Sequence, residues 1–211
     1  GDDPPAPLRP IRPGLTGGAF RPLTEAQMRR IHTAALELLE TVGLADAPAS
    51  GIAALTAAGA ELGADGRLRF PPALIEETIA GANREITLCG RDPAHDLHLG
   101  GSRVHYGTAG AAVHMVDVDG RSYRDSTLQD LHDAARIADR LDNIHFVQRP
   151  MVPRDIPDPF EMDINTVYAC VSGTRKHIGT SFTEGAFVGP ALEMLHLVAG
   201  GEEAWRARPF V

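Results

Sequence analysis

IHFVQRPMVPRDIPDPFEMDINTVYACVSGTRKHIGT occupies residues 144–180, and its period changes twice. Ile144 to Val147 is a short apolar run of β-leaning residues, and a proline-punctuated turn follows it. Residues 160 to about 172 then carry apolar side chains at helical spacing, and Lys176 to Thr180 return to a short apolar run. Two strands joined through a helix lie parallel, because a hairpin needs only a tight turn while a parallel pair needs a long crossover. Downstream, helices are expected over about 186–199 and 202–207, followed by apolar Phe210-Val211. Successive strand centres fall about 32 residues apart, the length of one βα unit. The pattern therefore predicts an α/β fold built on a parallel sheet. It breaks off inside a unit at Val211, so the 211 residues are expected to be part of a longer product or to be completed by a second chain.

Upstream, Arg103 to Tyr106 is read as the first strand of this series. Val113–Val118 and Arg121–Arg124 flank Asp119-Gly120, a strong hairpin signal. Ser126 with Gln129 has capping-box spacing and opens a helix whose buried side is expected to hold Leu128, Leu131, Ala134, Ala135, Ile137, Ala138 and Leu141. Short strands are expected at Ile86–Cys89 and Asp96–Leu99. Thr24 and Gln27 open an earlier helix, about 24–42, with Met28, Ile31, Ala35, Leu38, Leu39 and Val42 recurring at helical spacing before Gly43. Two more helices are expected over about 48–58 and 72–81, with a short strand at Leu68–Phe70 between them. Residues 1–22 hold six prolines and several glycines and read as an arm. This gives three regions: the arm at 1–22, a helical and small-β extension at 23–100, and the βα series at 101–211.

Hydrophobic residues make up 43% and charged residues 23% of the chain, ordinary values for a globular protein. A net charge of −8 and the lack of a Lys/Arg cluster argue against a nucleic-acid binder. No apolar run reaches membrane-span length, and no signal segment opens the chain. Cys89 and Cys170 lie far apart in the sequence and form no CxxC pair, so a disulfide framework or cysteine-zinc site is not expected. A soluble protein of a reducing cytoplasm is the expectation.

In parallel βα folds, ligands sit beyond the carboxyl ends of the strands. There the sequence offers Gly107-Thr108-Ala109-Gly110, Gln148-Arg149-Pro150 and Ser181-Phe182-Thr183-Glu184. Such residues also turn chains and cap helices, which is the plainer reading of each. His105 and His145 fall near the ends of expected strands, as catalytic groups or as hydrogen-bonded structural histidines. His95 and His98 face opposite sides of a strand and make a poor metal pair, so no metal is expected. Asp155, Asp158, Glu161 and Asp163 read first as carboxylates favoured at a helix N-terminus. No GxGxxG, P-loop, GxSxG or HExxH motif is present.

Five stretches are more specific. They are Arg21-Pro22-Leu23-Thr24, the run His105 to Ala112, Asp142-Asn143-Ile144-His145-Phe146, the run Arg149 to Pro157 and the run Thr174 to Phe182. In this order they resemble the trimethylamine methyltransferase family, whose members are much longer, and the likeness covers about residues 21–211. The resemblance implies a (β/α)8 TIM barrel, of which this chain would be the N-terminal part, preceded by a helical and small-β extension. It also implies transfer of a methyl group from a tertiary or quaternary amine, such as trimethylamine or glycine betaine, to the cobalt of a separate corrinoid protein, in some relatives as a step of methanogenesis. On that reading the chain binds no cofactor itself, and the corrinoid (cobalamin) arrives on the partner. The founding enzymes carry a pyrrolysine in their C-terminal half.

A quaternary ammonium offers no hydrogen-bond donor, so aromatic faces and carboxylates must hold it. Tyr106 and Phe146 are the aromatic candidates, with His105 and His145 as their alternates should the strand register differ by one. Gln148, Thr180 and Ser181 are expected around the same cavity, and Arg149 or His145 would pair a betaine carboxylate. Another small-molecule barrel enzyme, or a non-catalytic assembly subunit, remains as an alternative reading. A homo-oligomer, or assembly with the remainder of the barrel, is expected.

Overall fold

The computed structural model describes residues 15–211, so most of the expected arm lies outside the described residues. In chain order the elements are β1 (Leu15–Thr16), α1 (Glu25–Thr41), α2 (Ala49–Ala57), β2 (Glu61–Leu62), β3 (Leu68–Arg69), α3 (Pro72–Gly81), β4 (Ile86–Leu88), β5 (Leu97–Leu99) and β6 (Arg103–Val104). There follow β7 (His114–Val116), β8 (Tyr123–Asp125), α4 (Leu128–Arg140), β9 (Phe146–Gln148), α5 (Pro159–Gly173), β10 (His177–Gly179), α6 (Val188–Ala199) and α7 (Glu202–Ala207). The chain is mixed α/β. It divides between Arg84 and Glu85, so residues 85–100 group with the C-terminal unit rather than with the helices before them. No helix among the described residues is long and apolar enough to cross a membrane.

In the unit spanning residues 18–84, α1 starts where the sequence places it. The Thr24 hydroxyl accepts from the Gln27 amide, and the Gln27 side chain accepts in return from the Thr24 amide at 2.8 Å. Gly43, at φ 67°, ends the helix, and a side chain there would run into the Leu68 carbonyl. Arg67 donates to the Val42 carbonyl at 2.6 Å and Arg69 to that of Thr41 at 3.1 Å, so two cations meet the negative end of the helix. A small core of Ala60, Leu68 and Phe70 gathers Leu39, Leu55 and Leu74 around it. The side of α1 that packs is therefore that of Leu36, Leu39 and Gly43. The longer stripe of Met28, Ile31, Ala35, Leu38 and Val42 stays exposed, contrary to a simple amphipathic reading.

In the C-terminal unit the parallel series is present, with two corrections to its start. Arg103–Val104 pairs antiparallel with Leu15–Thr16, so it is not the first parallel strand. Parallel pairing begins at Tyr106-Gly107, where the His145 amide donates to the Tyr106 carbonyl at 2.6 Å and Gly107 bridges Phe146. From there β9 pairs parallel with β10, and the Ile178 amide donates to the Phe210 carbonyl at 2.9 Å. Each step to the next neighbour passes through helices: α4, then α5, then α6 and α7. The hairpin of β7 and β8 turns at Gly120, φ 68°, as Asp119-Gly120 predicts.

The cap of α4 is shifted by one residue. Thr127 and Asp130 form the capping box, because Ser126 is buried and its hydroxyl donates to the Val152 carbonyl at 2.7 Å. Arg124 grips Asp130 through two nitrogens, at 2.7 and 2.9 Å, and holds its carboxyl well below the usual range. Leu131, Ala135 and Ala138 form the buried stripe of α4, against α5. Ile137 and Leu141 stay exposed, since β9 and α5 cover the helix on one side only. Gly173 lets α5 come close: a Cβ there would stand 2.7 Å from that of Ala135. Leu131, Val167, Cys170, Ile178, Ala191 and Leu195 are members of the resulting core.

Candidate functional site

The register of β9 and β10 decides which side chains share a face. His177 pairs with Phe146, Ile178 with Val147, and Gly179 with Gln148. Val147 and Ile178 are fully buried, Ile178 within the core that α5 and α6 build. By strand alternation, Phe146, Gln148, His177 and Gly179 lie on the opposite face. Three glycines shape that region. A Cβ on Gly107 would collide with the Phe146 ring, one on Gly179 with the Gln148 amide, and one on Gly110 with the Arg149 carbonyl. The Thr108 hydroxyl donates to the Gln148 carbonyl and ties the glycine loop to the end of β9.

His145 is on the other side of the alternation. It is fully buried, and its Nδ1 accepts the Tyr106 amide at 2.9 Å, so one residue bonds Tyr106 through both ring and backbone. Its ring stands edge-on to His105 at 5.3 Å, and His105 Nε2 faces the His98 carbonyl at 3.3 Å. These contacts make His145 a clamp between neighbouring strands. Tyr106 remains half exposed, and Arg149 is half-buried with its amide donating to the Gly179 carbonyl at 2.8 Å. Thr180 is half-buried and Ser181 exposed in the loop after β10. A cavity of about 350 Å³ opens beside β10, with His177, Gly179, Thr180, Phe182, Leu192 and Trp205 among its lining. Among the residues nominated from sequence, Thr180 lines it, while Tyr106, Gln148, Arg149 and Ser181 do not.

His177 and Asp163 carry chemistry that the sequence pattern does not display. His177 Nδ1 lies 2.9 Å from the Cys89 carbonyl and donates to it, leaving Nε2 as an acceptor. Burial pushes the His177 pKa below the ordinary histidine value, against the opposing pull of that carbonyl. Asp163, one turn into α5, is buried and accepts the Thr183 amide at 2.6 Å, fixing the loop that carries Thr180 and Ser181. Of the other two aspartates in the acidic run, Asp158 takes the expected place at the start of the following helix and Asp155 binds the start of a different one. Asp158 caps α5 by accepting the Glu161 amide at 2.9 Å, and Asp155 accepts that of Leu128 at 2.9 Å. Cys89 and Cys170 are free and buried, and burial pushes the Cys170 thiol up to about 12.

A proton-linked stability change follows from His177. Its folded pKa is depressed, so below about pH 6.5 the unfolded chain binds a proton that the folded chain resists, and stability falls with pH there. Melting temperatures at about pH 7.5 and about pH 5 should show a smaller acid-side decline in His177→Gln than in the parent. An identical decline in both proteins would place the proton uptake elsewhere.

The family model for trimethylamine methyltransferase matches residues 9–211. The chain belongs to the trimethylamine methyltransferase family. It is 30% identical over 93% of its length to trimethylamine methyltransferase MttB of Desulfitobacterium hafniense, and covers 38% of that protein. To a glycine betaine methyltransferase of the same species it is 24% identical over 89% of its length. To MttB of Methanosarcina thermophila it is 24% identical over 77%. The chain thus spans well under half the length of the family members it matches, 38%, 39% and 35% of these three. Trimethylamine and glycine betaine share a methylated nitrogen and differ in charge and in the carboxylate.

Proposed function

We propose that this chain is the N-terminal part of an enzyme that moves a methyl group from a tertiary or quaternary amine to the cobalt of a corrinoid partner protein. The observation that carries this reading is the family match across the whole parallel βα series, whose in-order winding is how a (β/α)8 barrel begins. The open face of that series supplies a fitting surface. Phe146 offers an aromatic ring over the side-chain-free Gly107, and Gln148 offers an amide oxygen over Gly179. A methylammonium makes no hydrogen bond through its methyl groups, so a ring face and an oriented dipole are what can hold it. Transfer would break one N–CH₃ bond and leave its electron pair on nitrogen, and the reduced corrinoid that the partner would carry would supply the electron pair that takes up the methyl group. A quaternary substrate leaves as a neutral amine and needs no proton, and a tertiary amine does the same when it enters as its ammonium ion, whose N–H proton stays on the leaving amine. The chain's part is to orient the N–CH₃ bond and keep water out, since the acceptor supplies the nucleophile.

Calorimetry of the full-length protein with trimethylamine and with glycine betaine tests the site. Phe146→Leu should weaken binding of a methylammonium by about 0.5 to 2 kcal/mol. Arg149→Met should weaken glycine betaine far more than trimethylamine, because only the former has a carboxylate for the guanidinium. Equal losses for both ligands would mean that Arg149 supports the fold, and no effect from either variant would move the site off this face.

A further inference from the structure

We propose that Gln148 determines which methylated cation the site takes: its amide oxygen, seated over Gly179, accepts the N–H of a protonated tertiary amine and so favours trimethylammonium over a quaternary ammonium. The inference rests on the methyl-transfer reading of the open face. Gly179 is the register partner of Gln148, and a Cβ there would overlap the Gln148 amide oxygen. The amide therefore lies across β10 in the space that a side chain at 179 would fill. Gln148 is exposed on this face, and among the described residues no protein group bonds its side-chain amide. His177, the other polar side chain of the face, is level with Phe146 at the amino end of the two strands, while Gln148 and Gly179 are level at the carboxyl end. Parallel βα folds bind their ligands at the carboxyl end, so the acceptor placed for a ligand is Gln148.

An aliphatic amine is protonated at neutral pH, so trimethylamine arrives with one N–H and a quaternary ammonium with none. Both present methyl groups to the Phe146 ring. Only the first can donate to an amide oxygen, and a hydrogen bond from a cation is among the stronger ones. Holding the N–H also fixes the axis of the ion, so its methyl groups fan out on the far side, an orientation that a quaternary ion has no handle for. When one methyl group leaves, the proton stays on the leaving amine and the bond to Gln148 is kept. Gly179 separates this role from folding. A Cβ on Gly110 would meet the Arg149 carbonyl, whereas the atom displaced at 179 is the far end of a flexible side chain. Alanine at 179 is therefore absorbed by rotation of the Gln148 side chain and not by the strand.

Calorimetry of the full-length protein at about pH 7 with trimethylamine hydrochloride and with tetramethylammonium chloride tests this. The parent should bind trimethylammonium more tightly. Gln148→Met keeps the stem, removes the acceptor and should shrink that preference by at least about fivefold while melting as the parent does. Gln148→Glu should keep the preference, because its carboxylate accepts the same N–H. Gly179→Ala should shrink it as Met does, and should change nothing further in the Gln148→Met background. Phe146→Leu should weaken both cations alike. Three results would overturn the inference: a parent without the preference, an unchanged preference in Gln148→Met, or loss of the preference in His177→Gln with Gln148 intact. In each case a Phe146→Leu variant that weakens both cations leaves the site itself standing. No change for either cation in Phe146→Leu and Gln148→Met together would remove the site from this face, and the inference with it.

Discussion

Lys176→Met is expected to lower the stability of the protein by about 3 kcal/mol or more. Lys176 is fully buried, and its Nζ donates to the carbonyls of Ala138, Leu141 and Ile144 at 2.5 to 2.7 Å. These three oxygens belong to the last turn of α4 and the connection into β9, where the helix dipole is negative. One ammonium therefore seals the end of a helix, the start of a strand and its own strand β10 into a single knot. Met keeps the length of the stem and removes all three donated bonds, each of which is worth about 1.5 to 3 kcal/mol when the donor is charged. Part of that is returned because two of the carbonyls also accept backbone amides, from Leu141 and Ile144. For a chain of this size the melting temperature should drop by roughly 6 °C or more. A drop below about 2 °C would show that water replaces the ammonium at these carbonyls.

Asp163→Ala is expected to cost about 2 kcal/mol and to loosen the loop after β10. The carboxylate is buried in α5 and accepts both the amide and the hydroxyl of Thr183, at 2.6 and 3.3 Å. Removing it strips a charge-assisted bond from the residue that ends the Thr180–Thr183 segment. Asp163→Asn keeps an acceptor oxygen and should lose less than half as much. Hydrogen exchange at the Thr183 amide reads the effect directly, with faster exchange in the alanine variant than in the asparagine one. Equal exchange in the parent and both variants would mean that the loop is held by its other contacts. Because this loop carries Thr180 and Ser181, the alanine variant should also weaken binding of any ligand those residues touch, with α5 itself intact.

Much of this was legible in the chain because it depends on neighbours in sequence. Capping at Thr24 and Gln27, the turn at Asp119-Gly120 and the spacing of helix and strand in residues 144–207 are local chemistry, and each element forms where that chemistry places it. The pairing of strands is not local. Arg103–Val104 has the composition of a strand, and its partner at Leu15–Thr16 lies across the unit, so the sequence leaves open whether it runs parallel or antiparallel. Exposure is not local either. The Met28-to-Val42 stripe and Ile137 carry the spacing of buried faces, yet whether a face is covered depends on what packs there.

The candidate site divides the same way. Which residue types stand at the strand ends is written in the sequence: glycines and a threonine at 107–110, a glutamine and arginine at 148–149, a threonine and serine at 180–181. Which of them face together follows from register, because one step along a strand turns a side chain to the other face. The pairing of Phe146 with His177 and of Gln148 with Gly179 puts those four on one face and turns His145 inward to hold Tyr106. The sequence by itself carried the family resemblance in five ordered stretches, and its short-range spacing determined the βα order, the cap of α1 and the turn at Asp119-Gly120. Only the tertiary structure decided that Lys176 closes α4, that Asp163 holds the Thr183 loop and that His177 joins the candidate face. Each of those three bonds joins residues 20 or more positions apart, and only chain packing brings them within reach.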